Sequence, residues 1–267
     1  MIIDFHTHIF PDKIAERAVS ALKASSGYGN FSDGTANGLI ASMDAAGVDV
    51  SVNMPILSKP ESFEKTLAHL KENAHPSGRI LSFAPVHPLC TALEEKLRYI
   101  RSEGFVGVKL HPYFQNEPLD SAATIEAVRL ATDLGLYVMI HPGADASFPD
   151  STLAEPDRIV RLLDAIDSDR IILAHMGAMD RWKQAFEVIA GRNVYLDTSF
   201  SMDVMGRTAF LRAVKKHGAD RILFGTDSPW RSQAEYVRLL KEEDGLTEEE
   251  KDLIFYGNAA KILGIQV

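Results

Sequence analysis

Ile2-Ile3-Asp4-Phe5-His6-Thr7-His8-Ile9-Phe10-Pro11 is the stretch whose reading decides the fold. It opens with a β-branched and aromatic run, the composition of a strand. An open, doubly wound sheet would follow its first strand with a glycine-rich phosphate turn. Here that turn reads His6-Thr7-His8-Ile9-Phe10-Pro11 instead. The pattern then repeats. Further short runs occur at Val48–Val52, Ile80–Phe83, Phe105–Leu110, Tyr137–Ile140, Ile171–Leu173, Val194–Leu196 and Ile222–Phe224. Between them lie segments of helical spacing, such as Leu93, Leu97 and Ile100, or Ile159, Leu162, Leu163 and Ile166. Eight apolar strands alternating with helices predict an α/β fold, a (β/α)₈ TIM barrel with both faces of its sheet buried.

The bulk properties agree. A chain of 267 residues is near the roughly 250 typical of such barrels, so one domain over 1–267 is expected. The formal charge of −9 and the absence of any Lys/Arg-rich block exclude a general nucleic-acid surface. The N-terminus has neither the basic nor the apolar region of a signal peptide, and no stretch approaches about 18 consecutive apolar residues. Cys90 is the one cysteine, which excludes a disulfide framework and a thiolate metal cluster. A cytoplasmic location is the expectation. Two segments, Ser25 to Gly38 and Pro142 to Glu155, are long for barrel loops. Each is either an excursion over the site or a plain surface loop.

Active sites of these barrels stand at the carboxyl ends of the strands, so the side chains there test function. They are His6 and His8, His87, Lys109 with His111, His141, His175, Asp197 and Asp227. Six of the nine histidines fall at strand ends, and only His69, His75 and His217 on helices. Core packing does not explain that convergence. Alternate residues of a strand share a side, so His6 and His8 grip one ion while Thr7 faces the barrel wall. With His141 and Asp227 from other strand ends they make a mixed N/O site suited to zinc, iron, nickel or manganese. His175 is a further ligand, a proton shuttle or a structural histidine. Lys109 pairs with a substrate carboxylate, is carbamylated between two metals, or forms a plain salt bridge. Asp197 and His111 read as outer or loop residues, and His87 as a loop histidine beside its proline.

At these positions the residues resemble a known family. Asp4-Phe5-His6-Thr7-His8-Ile9-Phe10-Pro11 resembles the opening of the amidohydrolase superfamily, in the branch related to aminocarboxymuconate-semialdehyde decarboxylase. Gly107-Val108-Lys109-Leu110-His111-Pro112, Met139-Ile140-His141-Pro142-Gly143, Ala174-His175-Met176-Gly177 and Phe224-Gly225-Thr226-Asp227-Ser228-Pro229-Trp230 resemble its later motifs, in order. Asn258-Ala259-Ala260-Lys261-Ile262-Leu263 resembles its closing helix. The resemblance implies a distorted barrel with one divalent ion, often zinc, at His6, His8, His141 and Asp227, and His175 assisting catalysis. Two departures matter. Ala178 stands where the branch often has a second glycine, and Lys109 is similar to the bridging lysine of binuclear members, which leaves a second metal open.

The chemistry expected from such an ion starts with water, whose pKa falls from about 16 to about 7 on binding. Asp227 accepts its proton, and His175 holds the water or polarises the substrate. Lys109, or a loop arginine such as Arg181, anchors a substrate carboxylate. His111 and Trp230 are further candidates for substrate contact, and Tyr113, Phe114, Phe148, Phe200 and Trp182 for an apolar wall. The favoured expectation is hydrolysis of a small ester, lactone or amide bearing a carboxylate. The alternative is a lyase, a non-oxidative decarboxylase or hydratase of an aromatic or unsaturated acid. A non-catalytic metal-binding protein is a third reading. The partner is a small molecule, with no nucleic acid and no membrane, and a homo-oligomer is open.

Overall fold

Every expected run forms a strand. A computed structural model describes residues 1–72 and 74–266. The strands are β1 (Ile3–Thr7), β2 (Val50–Asn53), β3 (Ile80–Ser82), β4 (Ala84–Pro85), β5 (Gly107–Leu110), β6 (Tyr137–Ile140), β7 (Ile171–Leu173), β8 (Tyr195–Asp197) and β9 (Ile222–Leu223). All neighbouring pairs are parallel, in the orders β1-β2-β3 and β4-β5-β6-β7-β8-β9. β3 and β4 are one barrel strand interrupted at Phe83, whose N–H still donates to Asn53 O at 3.0 Å. Pro85 has no N–H to offer a ladder. The ring closes between β1 and the end of β9. Phe5 N donates to Phe224 O (2.7 Å), Asp227 N to His6 O (2.8 Å) and His8 N to Ser228 O (2.6 Å). Eight barrel strands result, as the sequence predicts.

The helices wrap this ring. In chain order they are α1 (Asp12–Ser26), α2 (Ala36–Ala46), α3 (Phe63–Glu72), α4 (Leu93–Ser102), α5 (Pro112–Gln115) and α6 (Ala122–Asp133). Then come α7 (Pro156–Ala165), α8 (Trp182–Ile189), α9 (Arg207–His217), α10 (Gln233–Lys241), α11 (Glu248–Asp252) and α12 (Asn258–Leu263). Several begin on a hydroxyl that accepts from an otherwise unbonded N–H: Thr35 from Gly38, Ser121 from Thr124 and Ser232 from Glu235. One core lies between strands and helices, with Val108, Leu110, Val138 and Ile140 among its members. A second lies inside the ring, where Ile3, Phe5, Val52, Phe83, Met139, Ile172 and Leu223 pack with Ala259, Ala260 and Ile262 of α12. Removing that apolar surface from water is the main stabilising term.

β1 departs from simple alternation. Asp4 pairs with Ser51 but Thr7 with Asn53, so β1 spends three residues where β2 spends two. This bulge re-aims the chain. Phe5 packs in the inner core against Phe83, and yet the next side chain, His6, meets Asp197 of β8, the second strand along the ring. Thr7 turns to the wall and donates to Val52 O at 2.9 Å.

The excursion expected at Ser25 to Gly38 is shortened by α1 and α2 to residues 27–35. Together with the end of α1 it reaches loops after three strands. Ser25 Oγ lies 2.9 Å from Ser147 Oγ, the Tyr28 ring 4.6 Å from that of Phe200, and Phe31 N donates to Pro229 O at 2.7 Å. It therefore overhangs the carboxyl end of the barrel. Among the described residues no helix is long and apolar enough to cross a membrane.

Candidate metal centre

The carboxyl ends of β1 and β9 meet where the barrel closes, and this seam brings His6, His8 and Asp227 together. His8 Nε2 lies 3.1 Å and His6 Nε2 3.5 Å from Asp227 Oδ1. One ligand atom from each falls within 4.8 Å of the others, a spacing that metal–ligand bonds of about 2.0–2.2 Å can span. His6 Nε2 is buried and has no hydrogen-bond partner. Its other nitrogen, Nδ1, lies 2.7 Å from Asp197 Oδ2. Gly225 makes the approach possible: a Cβ there would stand 3.0 Å from His6 Cβ.

Burial alone would push the Asp197 and Asp227 carboxyls up. The charges and hydrogen bonds of the histidines outweigh it and hold both well below the usual carboxylate range. Burial also lowers the His8 imidazole, against the opposing pull of Asp227.

His141 stands apart from that trio and faces His175. His141 Nδ1 and His175 Nε2 are 3.0 Å apart. His141 Nε2 lies 3.1 Å from Ala144 O, and a carbonyl can only accept, so Nε2 carries the proton and Nδ1 is a bare lone pair. His175 Nδ1 faces another carbonyl, Ser199 O, at 3.1 Å, so its Nε2 is bare as well. Two lone pairs thus confront each other at hydrogen-bond distance with no hydrogen to share. Burial, with His141 beside it, pushes the His175 imidazole down to about 3, so a proton does not resolve the conflict near neutrality. A cation does. The donors gathered here, bare imidazole nitrogens beside the His6, His8 and Asp227 trio, are of a chemistry that fits a divalent ion. Backbone strain gathers here too: His175, Met176, Asp180, Phe200 and Asp227 all hold positive φ, each at a cost of about 1–3 kcal/mol.

A second trio, His111, His141 and Asp145, also has ligand atoms within 4.8 Å, but its geometry does not suit chelation. The two rings are stacked 4.2 Å apart at 18°, so their in-plane lone pairs run nearly parallel and miss a common point. Asp145 Oδ2 lies 3.5 and 3.8 Å from the two Nε2 atoms, beyond hydrogen-bonding reach.

Beside this trio, Lys109 of β5 is 1 % exposed, and its Nζ has no hydrogen-bond partner in the protein. Burial pulls its ammonium down to about 8, against Asp197 and Asp227. Of the aromatic wall expected from the sequence, Tyr113, Phe114 and Phe148 gather on this side, while Phe200 packs with Tyr28 and Arg231 instead. Phe114 meets His111 and Phe148, and Tyr113 meets Phe148 and His141.

Arg181 is committed elsewhere, its Nε 2.9 Å from Glu155 Oε2, so the structure does not bring it to the cluster. Trp182 Nε1 donates to His175 O (2.8 Å) and fixes the backbone there. Trp230 caps the turn through its N–H to Asp227 O (2.8 Å). His87 is held by Gln115 O (3.1 Å) and Leu89 N (3.1 Å), a loop role. Sequence reasoning missed Ser199, Asp145 and Arg231. The Arg231 guanidinium lies 3.6 Å over the Phe200 ring and its Nε 2.8 Å from Asp203. None sits in a run of recognisable spacing, so no local signal marked them.

With the geometry in hand, relatives can be compared. A sequence model of the amidohydrolase family matches residues 3–265. No curated protein matches the chain. Among solved structures, 2,6-dihydroxybenzoate decarboxylase from Rhizobium is 19 % identical with a TM-score of 0.71, covering 99 % of this chain and 98 % of its own. A dihydroxybenzoic acid decarboxylase from Polaromonas, with bound manganese and 2-nitroresorcinol, is 18 % identical, TM-score 0.69, covering 99 % and 97 %. A probable 2-pyrone-4,6-dicarboxylic acid hydrolase from Acinetobacter baumannii, with bound citric acid, is 17 % identical, TM-score 0.67, covering 98 % and 99 %. These share the chain's fold, the (β/α)₈ barrel.

Proposed function

The chain belongs to the amidohydrolase family, and from that premise we propose a divalent-metal-dependent decarboxylase of a planar aromatic or unsaturated carboxylic acid. The observation that carries the reading is Lys109, a buried ammonium with no acceptor in the protein. A buried charge without a partner is costly, and a substrate carboxylate supplies the missing one. The neighbouring wall of Tyr113, Phe114 and Phe148 suits a planar body. Similarity to two decarboxylases of dihydroxybenzoic acids supports this choice over the hydrolysis that the sequence alone favoured.

His6, His8, His141 and Asp227 would hold one cation, zinc or the manganese seen in the Polaromonas relative. When bound, it supplies Lewis acidity, drawing electron density from a substrate oxygen. The protein side chains do the rest. Lys109 holds the carboxylate and sets its angle to the ring. His175, with a bare Nε2 at rest, takes a proton from a substrate hydroxyl or from water and returns it at carbon. The bond from carboxylate to carbon breaks, its electron pair stays on that carbon, and the carbon takes the proton from His175 as CO₂ leaves. One carboxylate and one proton become one C–H and one CO₂.

Hydrolysis of a carboxylate-bearing ester or lactone is the second reading. The same bare Nε2 favours it, because His175 would serve equally as base toward an attacking water. Protein loaded with Mn²⁺ or Zn²⁺, incubated in D₂O with dihydroxybenzoates and with 2-pyrone-4,6-dicarboxylate, separates the two. Decarboxylation gives CO₂ and one deuterium at the vacated carbon. Lactone opening without CO₂ would overturn the first reading in favour of the second.

A further inference from the structure

The last residue of β8 bonds to two histidines of the centre at once. Asp197 Oδ2 lies 2.7 Å from His6 Nδ1, and Oδ1 accepts from His175 N (2.9 Å), Ser199 N (3.0 Å) and the Ser199 hydroxyl. We infer that Asp197, with Ser199, is the positioning unit that sets the tautomers of His6 and His175 together and so turns both outer nitrogens, as bare lone pairs, toward the cation.

The argument is an account of hydrogens. An ionised carboxylate only accepts, so His6 must donate from Nδ1, which leaves Nε2 without a proton. The single proton of Ser199 goes to Asp197 Oδ1, so Ser199 Oγ only accepts from imidazole. It lies 3.0 Å from His6 Nδ1 and 2.9 Å from His175 Nδ1. The Ser199 carbonyl faces His175 Nδ1 as well, at 3.1 Å. Every atom that meets the two Nδ1 positions is therefore an acceptor. One buried carboxylate thus prepares both a ligand and a base.

Asp197 serves a third purpose through the backbone. His175 and Met176 are consecutive residues in the left-handed region, at φ 57° and 51°. The bond from His175 N to Asp197 Oδ1 holds that strained turn from one side, and Trp182 Nε1 to His175 O from the other. Replacing Asp197 by Asn separates these duties. The amide oxygen still accepts from the two backbone N–H groups, but only one side-chain atom can then accept, and His6 meets an NH₂ group instead of an oxygen. His6 Nδ1 must then accept, and its proton moves to Nε2, where it blocks a metal.

The tautomers hold whatever the reaction, and their catalytic consequence rests on the metal reading above. The test is two-bond ¹H–¹⁵N correlation on the full-length, chelator-stripped protein, which reports which ring nitrogen carries each proton. Zn²⁺ affinity against a competing chelator is measured alongside. In the wild type His6 and His175 are expected as Nδ1–H. In Asp197→Asn, His6 is expected as Nε2–H, with Zn²⁺ affinity down about 10–100-fold, the usual effect of losing an outer partner of a ligand. Ser199→Ala leaves the Asp197–His6 bond and should keep Zn²⁺ affinity within about threefold. Finding His6 as Nε2–H in the wild type overturns the inference without any variant, and so does unchanged affinity in Asp197→Asn. Nδ1–H tautomers in a wild type that binds no divalent ion would instead overturn the metal reading and leave the positioning role standing.

Discussion

The two halves of the barrel mouth are built on opposite principles. On the side of β1, β8 and β9, two histidines and two carboxylates are interlocked, with His6 between Asp197 and Asp227 and His8 against Asp227. Negative charge is in excess there, and the bare nitrogens converge. On the side of β5 and β6, Lys109 Nζ and His111 Nδ1 are buried without hydrogen-bond partners, and the rings of Phe114 and Phe148 pack beside His111. The first half gathers donors of the kind that suit a cation. The second holds a buried cation that no protein atom hydrogen-bonds. A site that takes a metal on one wall and an anion on the other orients a carboxylate between them, which positions it for reaction.

The comparison breaks most visibly at the metal wall. His6→Ala or Asp227→Asn should lower metal affinity more than about 100-fold, exceeding the loss of an outer partner, and abolish turnover. Full metal occupancy by elemental analysis would contradict the ligand assignment. His175→Asn should keep the metal and lose about 10²–10⁴ in kcat, the range of a lost acid–base group. Loss of metal in that variant would make His175 a ligand.

On the anion wall, Lys109→Met should raise KM about 10–100-fold, as expected for a hydrogen bond to a charged group, with metal content unchanged. A fourth outcome sharpens the same point through pH. Burial lowers Lys109 from its ordinary 10.5 to about 8, so the ammonium is present below that pH and lost above it. KM for a carboxylate substrate should therefore rise above pH about 8, and the rise should vanish in Lys109→Met. Arg181→Ala should change kcat/KM less than about threefold, because its guanidinium is spent on Glu155.

Much of this was legible from residues 4–11 and the later motifs. The eight apolar runs specify strands because each needs both faces covered, and a barrel satisfies all of them at once. The placement of His6, His8, Lys109, His141, His175 and Asp227 at strand ends followed from that alone. The expectation for Arg181 moved, and Ser199 was missed. Arg181 was drawn to the site by its charge, but Glu155, 26 residues away, is the partner that claims it. Ser199 carried no signal, since a serine declares its role only through the atoms around it.

What the sequence determined by itself is local and periodic: strand and helix alternation, the order of the reactive ends, and the kind of donor at each. What only the tertiary structure decided is directional. The bulge in β1 turns His6 inward immediately after Phe5, where strict alternation would have sent the two to opposite faces. Asp197 reaches His6 across 191 residues of chain and assigns the proton of its ring. That Lys109 Nζ meets no acceptor at hydrogen-bond distance emerges only once the ring has closed. Hydrogen-bond direction and desolvation depend on atoms within a few ångströms, and which atoms those are is set by closure of the ring.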